Sequence, residues 1–572
     1  MLSKLRLTAQ FSAIKRGGIK SRKPPVGAKA PHLGSGQAHE GTKRIINNTT
    51  TNSVMIYPIG RQNFENLRNE GFVYVDKTAL IYKLVKEGSV YFLSRPRRFG
   101  KSLLLSTLEA YFCGKKELFK GLAIEQLEKD WFEYPVLHMD LNAEKYDSIG
   151  ELENIISTYL REWEEKYDSK EADNTSLSLR FRAVIRSAKE KTGRGVAVLI
   201  DEYDKPILQA IGNPSLQEQF RNTLKAFYGV LKSADADLKF ALLTGVTKFS
   251  KVSVFSDLNN LKDISMSPRF HNICGITEEE LHTVFDEEIG ELAAANKQTK
   301  EEAYTQLRTS YDGYHFSYNT DGIYNPFSIL WTLSERRYGS YWFSTGTPTY
   351  LVELIKKSNF NIEELSGYEA SEEQMNSIHI NDIDPIPVLY QSGYLTIKDF
   401  DGRFGMYTLD YPNEEVKSGF VNFLLPFYTK LQTTQTTTII SKFVTSVERG
   451  KAQEFMQQLQ SLMAGTPYEL IKDLENHYQN VIYIITKLMG LYVQAEYRTS
   501  NGRIDILIGT NDYVYIIELK FNATAQEAME QIENKDYSLP FATDGRQIIK
   551  IGANVDKETR NIEDWIIKAT NI

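Results

Sequence analysis

Four short apolar runs mark the first half of the chain: residues 90–94, Val136-LHMDL, residues 196–200 and Lys239-FALLTG. Helix-length amphipathic segments separate them. Runs that are apolar throughout read as strands buried on both faces, and strands alternating with helices predict a mostly parallel sheet that binds ligands at its strand C-terminal ends. Upstream, residues 61–86 read as helix, an extended Tyr74-Val75, and helix again. From Thr277 the pattern turns helical and charged, opening on Thr277-EEEL, the signature of a capping box. Tyr311-DGYHFSYNTDGIYNPFSIL is dense in aromatics with two Asp-Gly turns. Its His315 suits chemistry or, among packed tyrosines, a structural hydrogen bond. Residues 341–470 read as mostly helical, with a β-like patch at Tyr394-LTIKDFDGRFGMYTL that turns at Asp401-Gly402. Two further strands, 504–508 and 513–520, fall in the last hundred residues. No internal repeat is visible.

The first strand run leads into Arg95-PRRFGKS, and the third ends in Asp201-Glu202. In such a pair, backbone N–H groups and a helix N-terminus cradle a polyphosphate, Lys101 reaches its β- and γ-phosphates, and the Ser102 hydroxyl meets Mg²⁺. A strand-terminal Asp201 then holds the Mg²⁺ water shell, and Glu202 polarises the attacking water. Gly-Lys-Ser alone marks no more than a helix start; the acid-tipped strand a hundred residues on gives it weight. The usual loop opens with glycine where this chain has Arg95, so a residue with a Cβ is expected in a tight-turn conformation there.

Tyr57-PIG, Tyr74-VDKT, Phe92-LSRPRRFGKSLLLSTL, Glu117-LFKGL, Val198-LIDEYDKPI and Leu243-TGVTKFS together resemble the predicted AAA-ATPase-like domain of many bacterial proteins, over residues 57–275. The resemblance implies a P-loop ATPase whose own loop version carries Arg at the first position. Arg97, Arg98, Phe99, Gly100, Lys101, Ser102, Asp201 and Thr244 would contact nucleotide and Mg²⁺, with Glu202 catalytic and Thr244 sensing the γ-phosphate. Arg269 could serve as an arginine finger or be an exposed loop residue.

Composition changes the picture at the N-terminus. Residues 1–54 hold ten Lys/Arg against one Glu, a charge of +9, which leaves −16 on the remainder of a 572-residue chain of formal net charge −7. That basic, polar stretch has the make-up of disorder. It suits an organelle transit segment, a start codon placed too early before Met55, or a nucleic-acid-binding arm. Two cysteines exclude a disulfide framework and imply a reducing compartment, here cytoplasmic, and no apolar run of 18 or more residues points to a membrane.

The second chemical site lies in Asn501-GRIDILIGTNDYVYIIELK. If Asn511-Asp512 forms a two-residue hairpin loop, paired positions sum to 1023, and Asp505 stands opposite Glu518 with Lys520 on the same face. Two carboxylates about 5 Å apart beside a lysine suit a divalent cation and a water-activating group. Glu-x-Lys also occurs at Glu164, Glu415 and Glu533, yet only Glu518 ends an apolar strand. The bland alternative, an exposed salt bridge on solvated strands, sets like charges opposite one another without a cation, which disfavours it.

From Asp473 onward the constellation resembles the PD-(D/E)XK nuclease superfamily, in the subgroup fused to AAA-ATPase-like domains. That implies Asp505 and Glu518 as metal ligands and Lys520 as the catalytic lysine. Glu475 and Glu496 would be accessory acids, and Gln531 and Tyr537 would lie on a flanking helix. The expected architecture is an α/β multidomain chain. It has a basic tail (1–54), a P-loop domain (55–275), a helical lid (276–345), a mostly helical connector (346–470) and a nuclease-like domain (471–572). Its expected function is ATP binding and hydrolysis with Mg²⁺, coupled to a metal-dependent nuclease on DNA or RNA. The alternative is a nucleotide-switched nucleic-acid-binding protein with a non-cleaving nuclease fold. Oligomer formation is left open.

Overall fold

The structure is a computed structural model that describes residues 55–570, apart from 143, 171–175, 249–257, 346–348, 377, 379–383, 430, 465–473, 491–493, 498–504, 522, 544 and 557. The expectations for the basic tail, for Gly502-Arg503 and for the strand start at Ile504 lie outside the described residues.

The four apolar runs are strands β1 (Val90–Ser94), β2 (Val136–Asp140), β3 (Val196–Asp201) and β4 (Leu238–Gly245), joined at one edge by β5 (Lys262–Asp263). All pair in parallel, in the order β2-β3-β4-β1-β5. β3 is buried at every position because helices cover both faces of the sheet. The motifs at the strand ends lock to one another. The Asp204 carboxylate of Asp201-EYD accepts from the Val246 and Thr247 N–H groups and the Thr247 hydroxyl, and Tyr203 donates to the Thr247 carbonyl. Within Tyr74-VDKT, Asp76 caps Thr78, while Lys77 pairs with Glu280 of the capping box that starts the helix Glu278–Val284.

The segment expected to be mostly helical contains a three-stranded antiparallel sheet, β6 (Tyr368–Ser371), β7 (Thr396–Asp401) and β8 (Met406–Asp410), ordered β6-β8-β7. Only the β7–β8 hairpin carries a turn signal. β6 is set by its long-range pairing with β8. Helix Glu414–Tyr428 then packs on helix Leu474–Met489.

The C-terminal sheet runs β13-β12-β11-β10-β9, with β9 (Gln494–Tyr497), β10 (Ile506–Gly509), β11 (Tyr513–Phe521), β12 (Gln547–Asp556) and β13 (Asn561–Thr570). β11 and β12 are parallel, and the helix Ala525–Asn534 makes the crossover between them. This sheet docks on the preceding helices through Tyr515 Oη to the Val447 carbonyl at 2.8 Å, Gln460 to the Ile562 carbonyl at 2.6 Å, and Trp565 to Gln453 at 2.9 Å. One apolar cluster runs without a break from Phe64 to Ile562.

Gly552 lets the crossover helix lie directly on β12, since a Cβ there would stand 2.5 Å from Met529 N and 2.7 Å from the Ala525 carbonyl oxygen. Both neighbours are backbone and cannot turn aside. Gly552→Ala is expected to cost about 1–3 kcal/mol, the usual range for overpacking. Gly290→Ala, inside a helix with nothing near its Cβ, is expected to add about 0.5–1 kcal/mol. Thermal melting of the two variants should therefore move in opposite directions.

Candidate functional site

β1 leads through Ser94 into the loop 95–100, whose shape rests on side chains as well as on glycine. Arg95 is not in a left-handed conformation; Arg98 (φ 67°) takes that strain, and Gly100 (φ 94°) adopts the left-handed region freely. Arg95 is instead the loop's anchor. Its guanidinium is 1 % exposed and donates to the carbonyls of Ser94, Ser265, Phe270 and His271 at 2.8–3.3 Å, while lying 4.0 Å from the Phe316 ring centre. Burial lowers its pKa to about 10. Phe99 is likewise buried, wedged edge-on against Tyr314 and Phe316, and its carbonyl accepts from Gly275 N at 3.2 Å. The aromatic segment after Tyr311, which has no chemical assignment from sequence, is thus the floor of the loop. Arg97 and Arg98 remain exposed, Arg98 over the Phe327 ring.

Helix Lys101–Phe112 starts at the left-handed Gly100 with no side-chain cap and no acid in its first turn, so its first N–H groups and dipole face the loop. Lys101 is 5 % exposed and its Nζ folds back onto the carbonyls of Arg95 (3.1 Å) and Pro96 (3.3 Å). Among the described residues it has no carboxylate partner. Ser102 follows, half-buried, on the same turn.

Asp201 ends β3 with 3 % exposure, its Oδ1 accepting from the Thr244 hydroxyl at 2.6 Å and from Glu202 N at 3.0 Å. Thr244 is fully buried and donates its hydroxyl hydrogen bond to Asp201, an arrangement that orients the acid. Glu202 sits just beyond at φ 49°, a strained turn that carries its side chain out of the strand. Asp140, overlooked in the sequence although it too ends an apolar strand, pairs in register with Asp201. Burial, then the charges of Asp201 and Glu202, raise its pKa.

An apolar cavity of about 100 Å³ opens beside Gly100, walled by Pro58, Val75, Ile81, Leu104, Ile276 and Pro326. Nothing in local sequence marks it, because its walls come from five separate segments. Arg269 is engaged in an ion pair with Glu87. His315 Nδ1 lies 2.9 Å from the Thr320 carbonyl, a structural contact.

In the C-terminal sheet, β10 and β11 pair Ile506 with Ile517 and Gly509 with Val514, closing on a turn in which Thr510 N donates to the Tyr513 carbonyl. Paired numbers sum to 1023, which sets Asp505 opposite Glu518. Asp505 Oδ2 accepts from Leu519 N at 2.9 Å. Glu518 is 1 % exposed; its Oε1 accepts from Lys520 Nζ at 3.2 Å and from Gln531 Nε2, while Oε2 is buried with no partner. Gln531 Oε1 in turn accepts from Lys520 at 2.5 Å. Gln531 lies on the crossover helix, whereas Tyr537, expected on it, stands past its end. Glu496 pairs with Leu507, two residues from Asp505. Glu475 stands exposed on the first turn of helix Leu474–Met489.

Burial, then the Glu518 charge, push the Asp505 carboxyl up to about 7, and burial raises Glu518 as well. Among the described residues no cluster of three or more His, Cys, Asp or Glu could hold a metal. The pair itself nevertheless fits a divalent cation: two hard oxygen donors, one of them an orphaned buried carboxylate oxygen, repel each other until a cation lies between them.

A carboxyl whose pKa is raised from 3.8 to about 7 destabilises the fold above pH 7, and the penalty vanishes as pH falls below its ordinary value. Asp505→Asn keeps an acceptor for Leu519 N. It is therefore expected to raise the melting temperature in EDTA at pH 8, with little gain at pH 4, and to remove stabilisation by Mn²⁺. Melting curves with and without metal check this.

The family model for predicted AAA-ATPase domains matches residues 58–255, and that for the PD-(D/E)XK nuclease superfamily matches residues 473–565. Such domains generally use a nucleotide and a divalent metal, respectively. An uncharacterized protein from the vnfD 5′ region of Azotobacter chroococcum mcd 1 is 34% identical over 526 residues, covering 90% of this chain and 98% of that protein. Among solved structures, the Aeropyrum pernix Orc1 protein in complex with DNA aligns over 60% of this chain and 90% of its own, at 11% identity and a TM-score of 0.21. On the two domain matches and the near full-length relative, the chain belongs to the family that joins a predicted AAA-ATPase domain to a PD-(D/E)XK nuclease superfamily domain.

Proposed function

We propose that this protein binds and hydrolyses ATP with Mg²⁺ at the phosphate loop and cleaves DNA or RNA at the Asp505–Glu518–Lys520 site, the first activity controlling the second. The observation that carries the reading is the Glu518 carboxylate: one oxygen tied to Lys520 and Gln531, the other buried, unpartnered and set against Asp505. A solvated strand pair has no reason to bury an acid in that state.

At the loop, the helix N-terminus and Lys101 bind the β- and γ-phosphates, Lys101 exchanging two neutral carbonyls for an anion. The base enters the apolar cavity beside Gly100. Ser102 and Asp201, the latter held by Thr244, would hold the Mg²⁺, and Glu202 would orient the attacking water. Arg97 and Arg98 add positive charge at the mouth; Phe99 acts by fixing the loop. At the second site Asp505 and Glu518 offer oxygen ligands, and Lys520 sits beside the scissile phosphate to orient water and balance charge. Divalent metal, when bound, neutralises the nucleotide phosphates and lends Lewis acidity at the scissile phosphate.

Lys101→Ala is expected to abolish nucleotide binding in calorimetry. Glu202→Gln should keep binding and lose hydrolysis, and Thr244→Val should slow turnover at least tenfold while binding holds, because Asp201 loses its short hydroxyl contact. Equal turnover in wild type and Glu202→Gln removes Glu202 from the mechanism.

Incubation of wild type with plasmid, linear and single-stranded DNA and with RNA, with Mg²⁺ or Mn²⁺ and with or without ATP, tests the nuclease. Asp505→Ala, Glu518→Ala and Lys520→Ala should each remove cleavage and leave ATP binding intact. Nucleic acid bound but uncut under every metal makes the protein a nucleotide-switched binding protein instead.

A further inference from the structure

Trp342 stands where the two halves of the molecule meet. Its indole Nε1 donates to the Arg97 carbonyl at 2.9 Å, across 245 residues, so a side chain from the end of the lid segment holds the phosphate loop by its backbone. Its own backbone N–H donates to Glu415 Oε1 at 2.8 Å, and Ser328 donates its hydroxyl to Glu415 Oε2 at 2.7 Å. Glu415 is 5 % exposed, has no cationic partner among the described residues, and lies on the first turn of helix Glu414–Tyr428. A buried carboxyl held by the Trp342 N–H and the Ser328 hydroxyl has few ways to shift without losing both.

The packing repeats the connection. The Trp342 ring meets Tyr314, which wedges against Phe99 of the loop, and Tyr394, which packs on Phe420 of the same helix. The next residue, Phe343, fits over Gly419, where a Cβ would stand 2.6 Å from its ring, and against Phe423. Helix Glu414–Tyr428 rests on helix Leu474–Met489, whose Tyr478 hydroxyl donates to the Arg560 carbonyl between β12 and β13.

We infer that Trp342 is a positioning residue for the phosphate loop that ties the loop's conformation to helix Glu414–Tyr428, and through it to the nuclease sheet. The inference rests on reading the loop as a nucleotide site. Phosphate that draws Lys101 off the carbonyls of Arg95 and Pro96 reshapes the loop two residues from the carbonyl Trp342 holds. The indole follows, moving Glu415 and its helix and with them the footing of the sheet that carries Asp505 and Glu518.

Hydrogen exchange on the full chain tests this. Trp342→Phe keeps a ring and removes the donor. Without nucleotide, amides in residues 97–104 and in residues 413–428 are expected to exchange at least tenfold faster together. Glu415→Gln, which keeps the acceptor and loses the charge, should give a smaller loss at the same two segments. In wild type, ATP with Mg²⁺ should change protection in both segments; in Trp342→Phe it should change the loop alone. Unchanged exchange in residues 413–428 of the nucleotide-free variant, or a wild-type response of that helix to ATP in Trp342→Phe, overturns the inference. If ATP leaves residues 97–104 of wild type unaltered, it is the nucleotide reading that fails, and the joint loss in the nucleotide-free variant still decides the coupling.

Discussion

A guanidinium taken out of water holds the N-terminal half together. Desolvating a cation costs several kcal/mol, and Arg95 offsets that with four carbonyl acceptors and the face of Phe316, an interaction worth about 2 kcal/mol or more once dry. Most of those acceptors lie 170 to 176 residues away. The loop after β1 is therefore not an independent motif, since it exists in this shape only where residues 265–271 and the aromatic segment after Tyr311 have closed around it. The expectation that losing glycine endangers the turn has the logic reversed: the side chain at that position supplies the support.

The two sites show why one was legible in sequence and the other only in part. In the nuclease sheet the decisive quantity is parity. Side chains alternate with period two, a short turn fixes the register, and Asp505, Glu518 and Lys520 fall on one face by arithmetic alone. The strands of the parallel sheet were legible for a similar reason, because double-sided burial leaves an apolar run. Thr244, by contrast, reads as a polar strand end, and only the third dimension shows its hydroxyl spent on Asp201. Asp140, the cavity beside Gly100 and β6 escaped notice because each is defined by neighbours on other segments. Tyr537 was misplaced by a few residues, as helix ends commonly are when no glycine or proline marks them.

Both sites keep charge in places where folding alone would not put it. Lys101 is buried against neutral carbonyls, and Asp505 and Glu518 are pressed together at the edge of a core. Residues left in this condition are tolerated where a ligand completes them. A phosphate would answer the lysine and a divalent cation the acids. The chemistry proposed for each site is thus the removal of a specific electrostatic defect.

The crossover from β11 to β12 has a consequence in time. Glu518, Lys520 and Gln531 lie within fourteen residues of one another, so the second site closes locally and fast once its strands exist. The loop that Trp342 holds must wait for contacts spanning 245 residues or more. On a ribosome the order is nonetheless set by synthesis, N-terminus first. Every residue that grips the loop leaves the tunnel before Asp505 is made, so the half proposed to control is assembled before the half proposed to cut.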